Sequence, residues 1–514
     1  MSKRIIRNRR ARYGGMTVLL TVLLITVVVL FNSLFTTLAK RYSWYASLNR
    51  APDYSVTESC YTLLDSILAG QEADIRIIFC DTEKNLLADS TSKYVYQNAV
   101  SLAERFSDKL SVECHNIWLD PMSVKHFNTT LNPATGESVE TALKSTSVII
   151  ANGDYYRVYA LTEFFVFEDG DTSKLWAYNG EKKLAAGILH AIDSDGAVVA
   201  LTNNHGEVFY DYELLYLLDD AGYSIRYFDL YTEKIPDNCN LIITYNPNSD
   251  LTVSDGVSST SEIDTLNTFL STSGNSYLVF LENGTPALPN LESFLSEWGV
   301  DTMYYESNVN NFSYRYMVQD ASKSLTSDGY TIYGTAAEAG RAGELVGGLS
   351  RGTVFKNATA LQASNGFASN GDGSYTNASN GRIMYSLFEA GDSAVSWANG
   401  KPVDNKKATL FAFTEQTNGD GKTSGVGVCG SVDIVSEDFL QSAVHGNTDT
   451  MMQIFEGLGK SNTPKGLTIK PFESSEISTI TTAEMWRWTL VLSLAPAVIV
   501  TALAVVVLVK RRNA

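Results

Sequence analysis

Hydrophobic positions are distributed unevenly along the chain. Two stretches, 16–39 and 488–509, run for 24 and 22 residues without a charged side chain. Each is long enough to cross a bilayer as an α-helix, which needs about 20 apolar residues. Between them the pattern changes. A β-branched run at 73–81 precedes helical spacing over 91–110, with apolar Val95, Ala99, Leu102 and Phe106, and a second strand-like run follows at 110–119. This predicts a strand–helix–strand unit of parallel α/β type. Gly153-Asp154, lying between apolar runs at 147–151 and 155–160, predicts a hairpin.

From 180 the rhythm repeats. Helical spacing at 180–192, 208–220, 263–270 and 288–298 alternates with strand-like runs at 197–202, 224–230, 240–245 and 276–281. Gly299 stands where a helix closes. Such alternation predicts a mostly parallel sheet covered on both faces. Beyond about 305 the pattern weakens. Residues 362–381 hold four Gly, four Ser and four Asn, and Ala-Ser-Asn-Gly begins at 363, 368 and 378. That composition reads as a mobile loop or as hairpin tips, since Asn-Gly favours tight turns. Strands are expected again at 408–414 and 425–435, a helix at 448–458, and a polar spacer at 472–484.

Charge orients the two apolar stretches. Lys3, Arg4, Arg7, Arg9, Arg10 and Arg12 precede the first, opposed by only Lys40 and Arg41 after it; Lys510, Arg511 and Arg512 follow the second. The positive-inside rule then predicts a two-pass protein of the plasma membrane with both termini cytoplasmic and 42–487 extracytoplasmic. A cleaved signal peptide is the alternative for the first stretch, but its apolar run is longer than the usual ~7–15 residues of such a signal. The expected layout is a basic tail at 1–15, a span at 16–39, a membrane-proximal α/β domain at 42–175 and a larger α/β domain at 176–471. A spacer at 472–487, a span at 488–509 and a basic tail at 510–514 complete it.

The whole chain carries 39 Lys+Arg against 57 Asp+Glu, a net charge of −18. None of the acidic residues falls in 1–41 or 510–514, so the region between is strongly acidic, which argues against general nucleic-acid binding. Five scattered cysteines without a CxxC exclude zinc ribbons and thioredoxin-type redox chemistry.

Few motifs carry chemistry. Gly425-Val426-Gly427-Val428-Cys429-Gly430 matches G-x-G-x-x-G, but its continuation through Val435 reads as more strand, where a dinucleotide site needs a helix. Gly421-Lys422-Thr423 resembles the tail of a phosphate loop, yet the required first glycine is Gln416. No intrinsic ATP site is therefore expected. No two of the five histidines share a metal-ligand spacing, and no catalytic, cofactor or metal residue is assigned. The best polar cluster is Asn204-His205-Gly206-Glu207, placed after an apolar strand where open α/β sheets bind ligands. His205 beside Glu207 could act as base and orienter. The plainer reading has Gly206 making a turn and Glu207 favouring the first turn of a helix. Asn179-Gly180-Glu181, opening the preceding helix, bears the same two readings.

In order along the chain, Trp118-Leu119-Asp120-Pro121, Tyr178-Asn179-Gly180-Glu181, Asn203-Asn204-His205-Gly206-Glu207 and Pro289-Asn290-Leu291 to Trp298-Gly299-Val300 stand between the two apolar stretches. This arrangement, over roughly 16–509, resembles the GldG-like family, the auxiliary membrane component of ABC transporters first associated with gliding motility. That family shows Gly-His-Gly-Glu and a phenylalanine-led Asn-Gly-Glu, where this chain has Asn204 and Tyr178. The resemblance implies a flavodoxin-like or glutamine-amidotransferase-like fold without that class's catalytic residues. As partners it implies a permease and a cytoplasmic ATP-binding subunit beside the lipid bilayer, with no cofactor. The expected function is a non-enzymatic auxiliary subunit that binds or gates cargo. The alternatives are an anchored glycan hydrolase using Glu181, His205 or Glu207, and a structural or sensory scaffold.

Overall fold

The computed structural model describes residues 54–472, apart from 90, 132–137, 141, 169–171, 173, 193–195, 211, 255–260, 420 and 460–462, together with 486, 487 and 490. Two sheets dominate. The first has four strands, β1 (Ile75–Phe79), β2 (Leu110–Cys114), β3 (Ser147–Asn152) and β4 (Tyr155–Ala160), in the order β2-β1-β3-β4. β1 and β2 pair in parallel as expected from the strand–helix–strand pattern, whereas β3 joins β1 antiparallel and folds into β4 through the Gly153-Asp154 turn. Helix α1 (Glu58–Leu68) buries Cys60, Leu64, Ile67 and Leu68, and α2 (Ser92–Arg105) buries Val95, Ala99 and Leu102. Both sets follow the i, i+4, i+7 spacing of one helical face.

Helix α3 (Gly180–Ile192) is different because it is buried on nearly every side. It packs on β3 and β4 and touches α1, α2 and α4 (Glu213–Asp220). Gly187 permits the close approach, since a Cβ there would stand 2.3 Å from the Ile150 side chain. Three consecutive charges, Glu181, Lys182 and Lys183, open this helix and are all buried. Each has a counter-ion: Lys182 and Lys183 converge on the Asp220 carboxylate at 3.1 and 2.5 Å, and Glu181 meets Lys470 at 2.8 Å. Lys470 lies on a short strand that pairs with Leu175–Tyr178, so the end of the described chain returns to the start of α3.

The second sheet has twelve strands. Its main path runs β6-β5-β7-β8-β13-β12-β11-β10-β9, where β5 is Val198–Thr202, β6 Ser224–Phe228, β7 Cys239–Tyr245, β8 Ser276–Phe280, β9 Ala368–Ser369, β10 Ser374–Thr376, β11 Ile383–Glu389, β12 Thr409–Thr417 and β13 Thr423–Cys429. Side chains alternate between two cores. Leu241, Ile243 and Tyr245 of β7 face the leucines of α4 and Met451, Met452 and Phe455 of the helix Asn447–Gly457. Ile242 faces Leu266, Phe269 and Leu270 of α5 (Glu262–Leu270) and Leu291, Phe294 and Leu295 of α6 (Pro289–Glu297). Helices thus cover both faces, each buried leucine contributing about 2 kcal/mol.

The mostly parallel, flavodoxin- or glutamine-amidotransferase-like sheet expected from the helix–strand rhythm is corrected. Only β6, β5, β7, β8 and β13 run parallel; from β13 to β9 every pairing is antiparallel, and the described residues form seven sheets in all. The cause is loop length. Residues 418–422 join β12 to β13, too short for the dozen or more residues that a parallel crossover requires. The Gly/Ser/Asn-rich run is hairpin tips: β9 and β10 pair across 370–373, and β10 and β11 across 377–382. The expected strand through 435 also ends early, at Cys429, and Val432–Val435 is a 3-10 turn.

The membrane arrangement is corrected as well. Among the described residues no helix is long and apolar enough to cross a membrane. The two spans expected at 16–39 and 488–509 lie, apart from Leu490, outside the described residues, so the two-pass plasma-membrane topology and an extracytoplasmic 42–487 are unsupported and are set aside.

Removing one ion of the α3 cluster tests how much it holds. Asp220→Asn leaves two buried ammonium groups without their carboxylate and is expected to lower stability by about 3 kcal/mol, read as a reduced urea midpoint.

Candidate functional site

The parallel strands β5 to β8 end at one edge, and the loop after β5 carries Asn203 to Glu207. Asn204 and Gly206 both adopt left-handed backbone, with φ of +75° and +69°. Asparagine is among the few non-glycine residues that tolerate this region, so Asn204 suits the conformation that a glycine would otherwise supply. Its side-chain amide donates to Asp229 at 2.6 Å. The two left-handed residues fold the chain back on itself, and the His205 carbonyl accepts the N–H groups of Asn248 and Ser249 at 2.7 and 2.8 Å. The helix expected over 208–220 begins only at Glu213. Glu207 is therefore not in a first helical turn; it lies in the loop, and its carboxylate accepts the His205 backbone N–H at 2.8 Å.

His205 is 4% exposed and lies between two carboxylates. Nε2 stands 2.9 Å from Glu262 Oε1, and Nδ1 stands 3.3 Å from Glu207 Oε1, close enough for an ion pair although its angle falls short of a hydrogen bond. Each acid is further engaged. Thr202 Oγ1 donates to Glu207 at 2.8 Å, and Glu262 accepts both the N–H and the hydroxyl of Thr252 at 2.7 and 2.9 Å. Thr202 Oγ1 also lies 3.0 Å from Thr244 Oγ1, which takes the Tyr277 hydroxyl at 2.8 Å. Burial of the ring works against its proton, but Glu207 and then Glu262 outweigh it and push the imidazole up to about 10. Both carboxyls are in turn held below their ordinary range, His205 outweighing the burial that opposes their charge. Protonated at both ring nitrogens between two carboxylates, His205 has no lone pair to accept a substrate proton near neutral pH.

The second cluster is equally closed. Glu181 is 2% exposed. One of its oxygens accepts the N–H of Thr57 at 2.6 Å and also the Thr57 hydroxyl, and the other meets Lys470. Gly180 is required because a Cβ would lie 2.1 Å from the Tyr178 hydroxyl, itself held by Asn98 at 2.8 Å. Asn179 donates its backbone N–H to Phe164 and accepts from Lys183, while its side-chain oxygen finds no partner among the described residues. The two clusters share no side chain, so the structure does not assemble Glu181 with His205 and Glu207.

Glu262 is the member that sequence reasoning missed. It sits in the first turn of α5, capped by Ser261, and the only local signal was an acid beside a cap residue. Lys470 carried no signal. The glycines of the G-x-G-x-x-G run serve packing. A Cβ on Gly425 would meet the Phe413 ring at 2.4 Å, one on Gly427 would meet Leu278 at 2.8 Å, and one on Gly430 would meet the Thr359 carbonyl oxygen at 2.4 Å. Among the described residues no group of three or more His, Cys, Asp or Glu is arranged to hold a metal ion. All five cysteines are free thiols, and burial pushes those of Cys80 and Cys429 up to about 11 and about 12.

No family model matches the chain, and no curated protein matches it. Among solved structures it is similar to an mmIFT52 N-terminal domain, at 16% identity and a TM-score of 0.36, over 51% of this chain and 97% of that one. Similarity at that level carries no inference about what this chain does.

Two outcomes follow. His205→Gln removes the charge that holds two buried carboxylates and is expected to cost about 3–5 kcal/mol at pH 7. Because the folded imidazole titrates above its ordinary 6.5, the stability it contributes is full below that pH and fades as pH rises toward about 10. Urea midpoints of the two proteins, compared from pH 7 to 10, should converge. Gly430→Ala, whose methyl would press on backbone that is hydrogen-bonded on both sides, is expected to lose about 2 kcal/mol, measured by thermal unfolding.

Proposed function

We propose that this chain is a non-enzymatic auxiliary subunit of an ABC transport system, an α/β body that binds or gates cargo for a permease powered by a separate ATP-binding subunit. One observation carries this reading: the polar clusters best placed for chemistry are closed on protein partners, His205 on Glu207 and Glu262, and Glu181 on Thr57 and Lys470. Groups spent in this way fix loops and helices; they hold a surface in shape. The missing first glycine at Gln416 supports an ATPase on another chain. The ordered motifs that resemble those of the GldG-like family, though departing at Tyr178 and Asn204, support the same partner set.

The test is purification of the tagged full chain in mild detergent. A permease and an ATP-binding subunit with an intact phosphate loop should co-purify in fixed ratio, and adding the chain back should change that subunit's ATP turnover. Recovery of the chain without either, from cells that express both, would remove the reading.

A further inference from the structure

The edge that carries the His205 loop is covered with tyrosine. Tyr210, Tyr212, Tyr216 and Tyr231 are 60%, 67%, 53% and 47% exposed, and Val208 is also exposed. Between them Phe209 turns inward and stacks flat on Tyr245, with ring centres 4.8 Å apart and planes within 4°. Val208 and Tyr210 thus face outward on either side of the inward Phe209, and with Tyr212 the outward residues are large and largely apolar where a solvated edge would place polar ones. Tyr210 reaches across to Glu282 after β8, and Tyr231 follows β6, so the patch spans the ends of four neighbouring strands, about 14 Å at ~4.8 Å spacing.

Charge indicates what covers it. Glu282 receives the Tyr210 hydroxyl at 2.7 Å and the Asn246 amide at 3.0 Å on the same oxygen, Oε1. Among the described residues no basic side chain pairs with it. Asp433, although it meets Lys356 at 3.8 Å, is close enough to add to the upward push on the Tyr210 hydroxyl, and Glu233 lies two residues beyond Tyr231. Tyrosine faces next to a carboxylate that has no basic partner among the described residues suit guanidinium and ammonium groups, which lie over the ring and pair with the acid.

We propose that this tyrosine face is a docking surface for a basic, extended segment of a partner protein, whose arginine or lysine side chains lie over Tyr210 and Tyr212 and reach Glu282. The proposal deepens the auxiliary-subunit reading by naming the chemistry of the partner surface, and it rests on that reading only for the partner's place in a transport complex.

The experiment titrates purified full-length chain against a fluorescein-labelled nona-arginine peptide, followed by anisotropy at fixed salt. Binding should weaken about tenfold in a Tyr210→Ala/Tyr212→Ala double variant and about fivefold in Glu282→Gln. Glu104→Gln, an exposed acid on α2, should leave it unchanged. Tyr231→Ala, at the other end of the patch, should weaken binding about threefold and decides the matter if the double variant does not fold. Equal binding by wild type and the tyrosine variants, or an equal loss in Glu104→Gln, overturns the proposal, the latter because it marks attraction to net negative charge alone. Light scattering that shows a dimer dissociated by Tyr210→Ala also overturns it, by making a second copy the occupant. Because the titration uses one purified protein, its failure leaves the co-purification result standing, and the reverse holds too.

Discussion

Three adjacent charges can be buried in one helix only if each finds a counter-ion, and that requirement organises this structure. Glu181, Lys182 and Lys183 open α3, which packs on the first sheet and meets α4 of the second. Burial opposes the ammonium of Lys183, and Asp220 outweighs it, holding the proton on more tightly than usual. Asp220 lies on α4 and Lys470 on the last described strand, so the three charges draw together segments distant in sequence. Buried ion pairs are a weak source of net stability against an apolar alternative. Their effect here is specificity: any other seating of α3 strands a charge in a low-dielectric interior.

The Glu207–His205–Glu262 triad applies the same rule at the sheet edge. A carboxylate pair this close and this dry would repel, and the imidazolium between them turns repulsion into a link from the β5 loop to the first turn of α5. Thr202, Thr244 and Tyr277 extend the link across neighbouring strands through hydroxyl groups. The cluster resembles a catalytic constellation in composition and differs in saturation. Its acceptors are occupied and its histidine carries both protons, so the chemistry its residue types suggest is directed inward.

What was legible in the sequence follows the range of the forces involved. Periodicity is local, and it located α3 at 180–192 and the strands at 75–79 and 276–280 with little error. Left-handed turns are local too, and Gly206 and Gly299 both sit at positive φ. Glu262 lies 57 positions from His205, and Lys470 far beyond Glu181; no spacing rule connects residues that only the fold brings together. Strand direction was misread for a related reason. Alternation of helices and strands holds through β8, and beyond it short connections take over, which make pairs antiparallel whatever the strands contain. Glu207 was misplaced because the apolar run at 208–210 continues into a helix by composition, whereas the helix begins only at Glu213 and Phe209 stacks on Tyr245 instead.

Closing the polar floor of the crevice has a consequence for its rim. A loop pinned by Asn204 on Asp229, His205 on Glu262 and Asn248 on the Gly206 carbonyl has little freedom left, so the segment that follows leaves the sheet in one direction. That direction turns Phe209 inward and Tyr210 and Tyr212 outward. Aromatic side chains, with only two rotatable bonds each, lose little entropy when something settles on them, which suits a recognition surface. The closed triad and the tyrosine face are thus two sides of one construction: the inward ion pairs fix the loop from which the outward aromatic side chains extend.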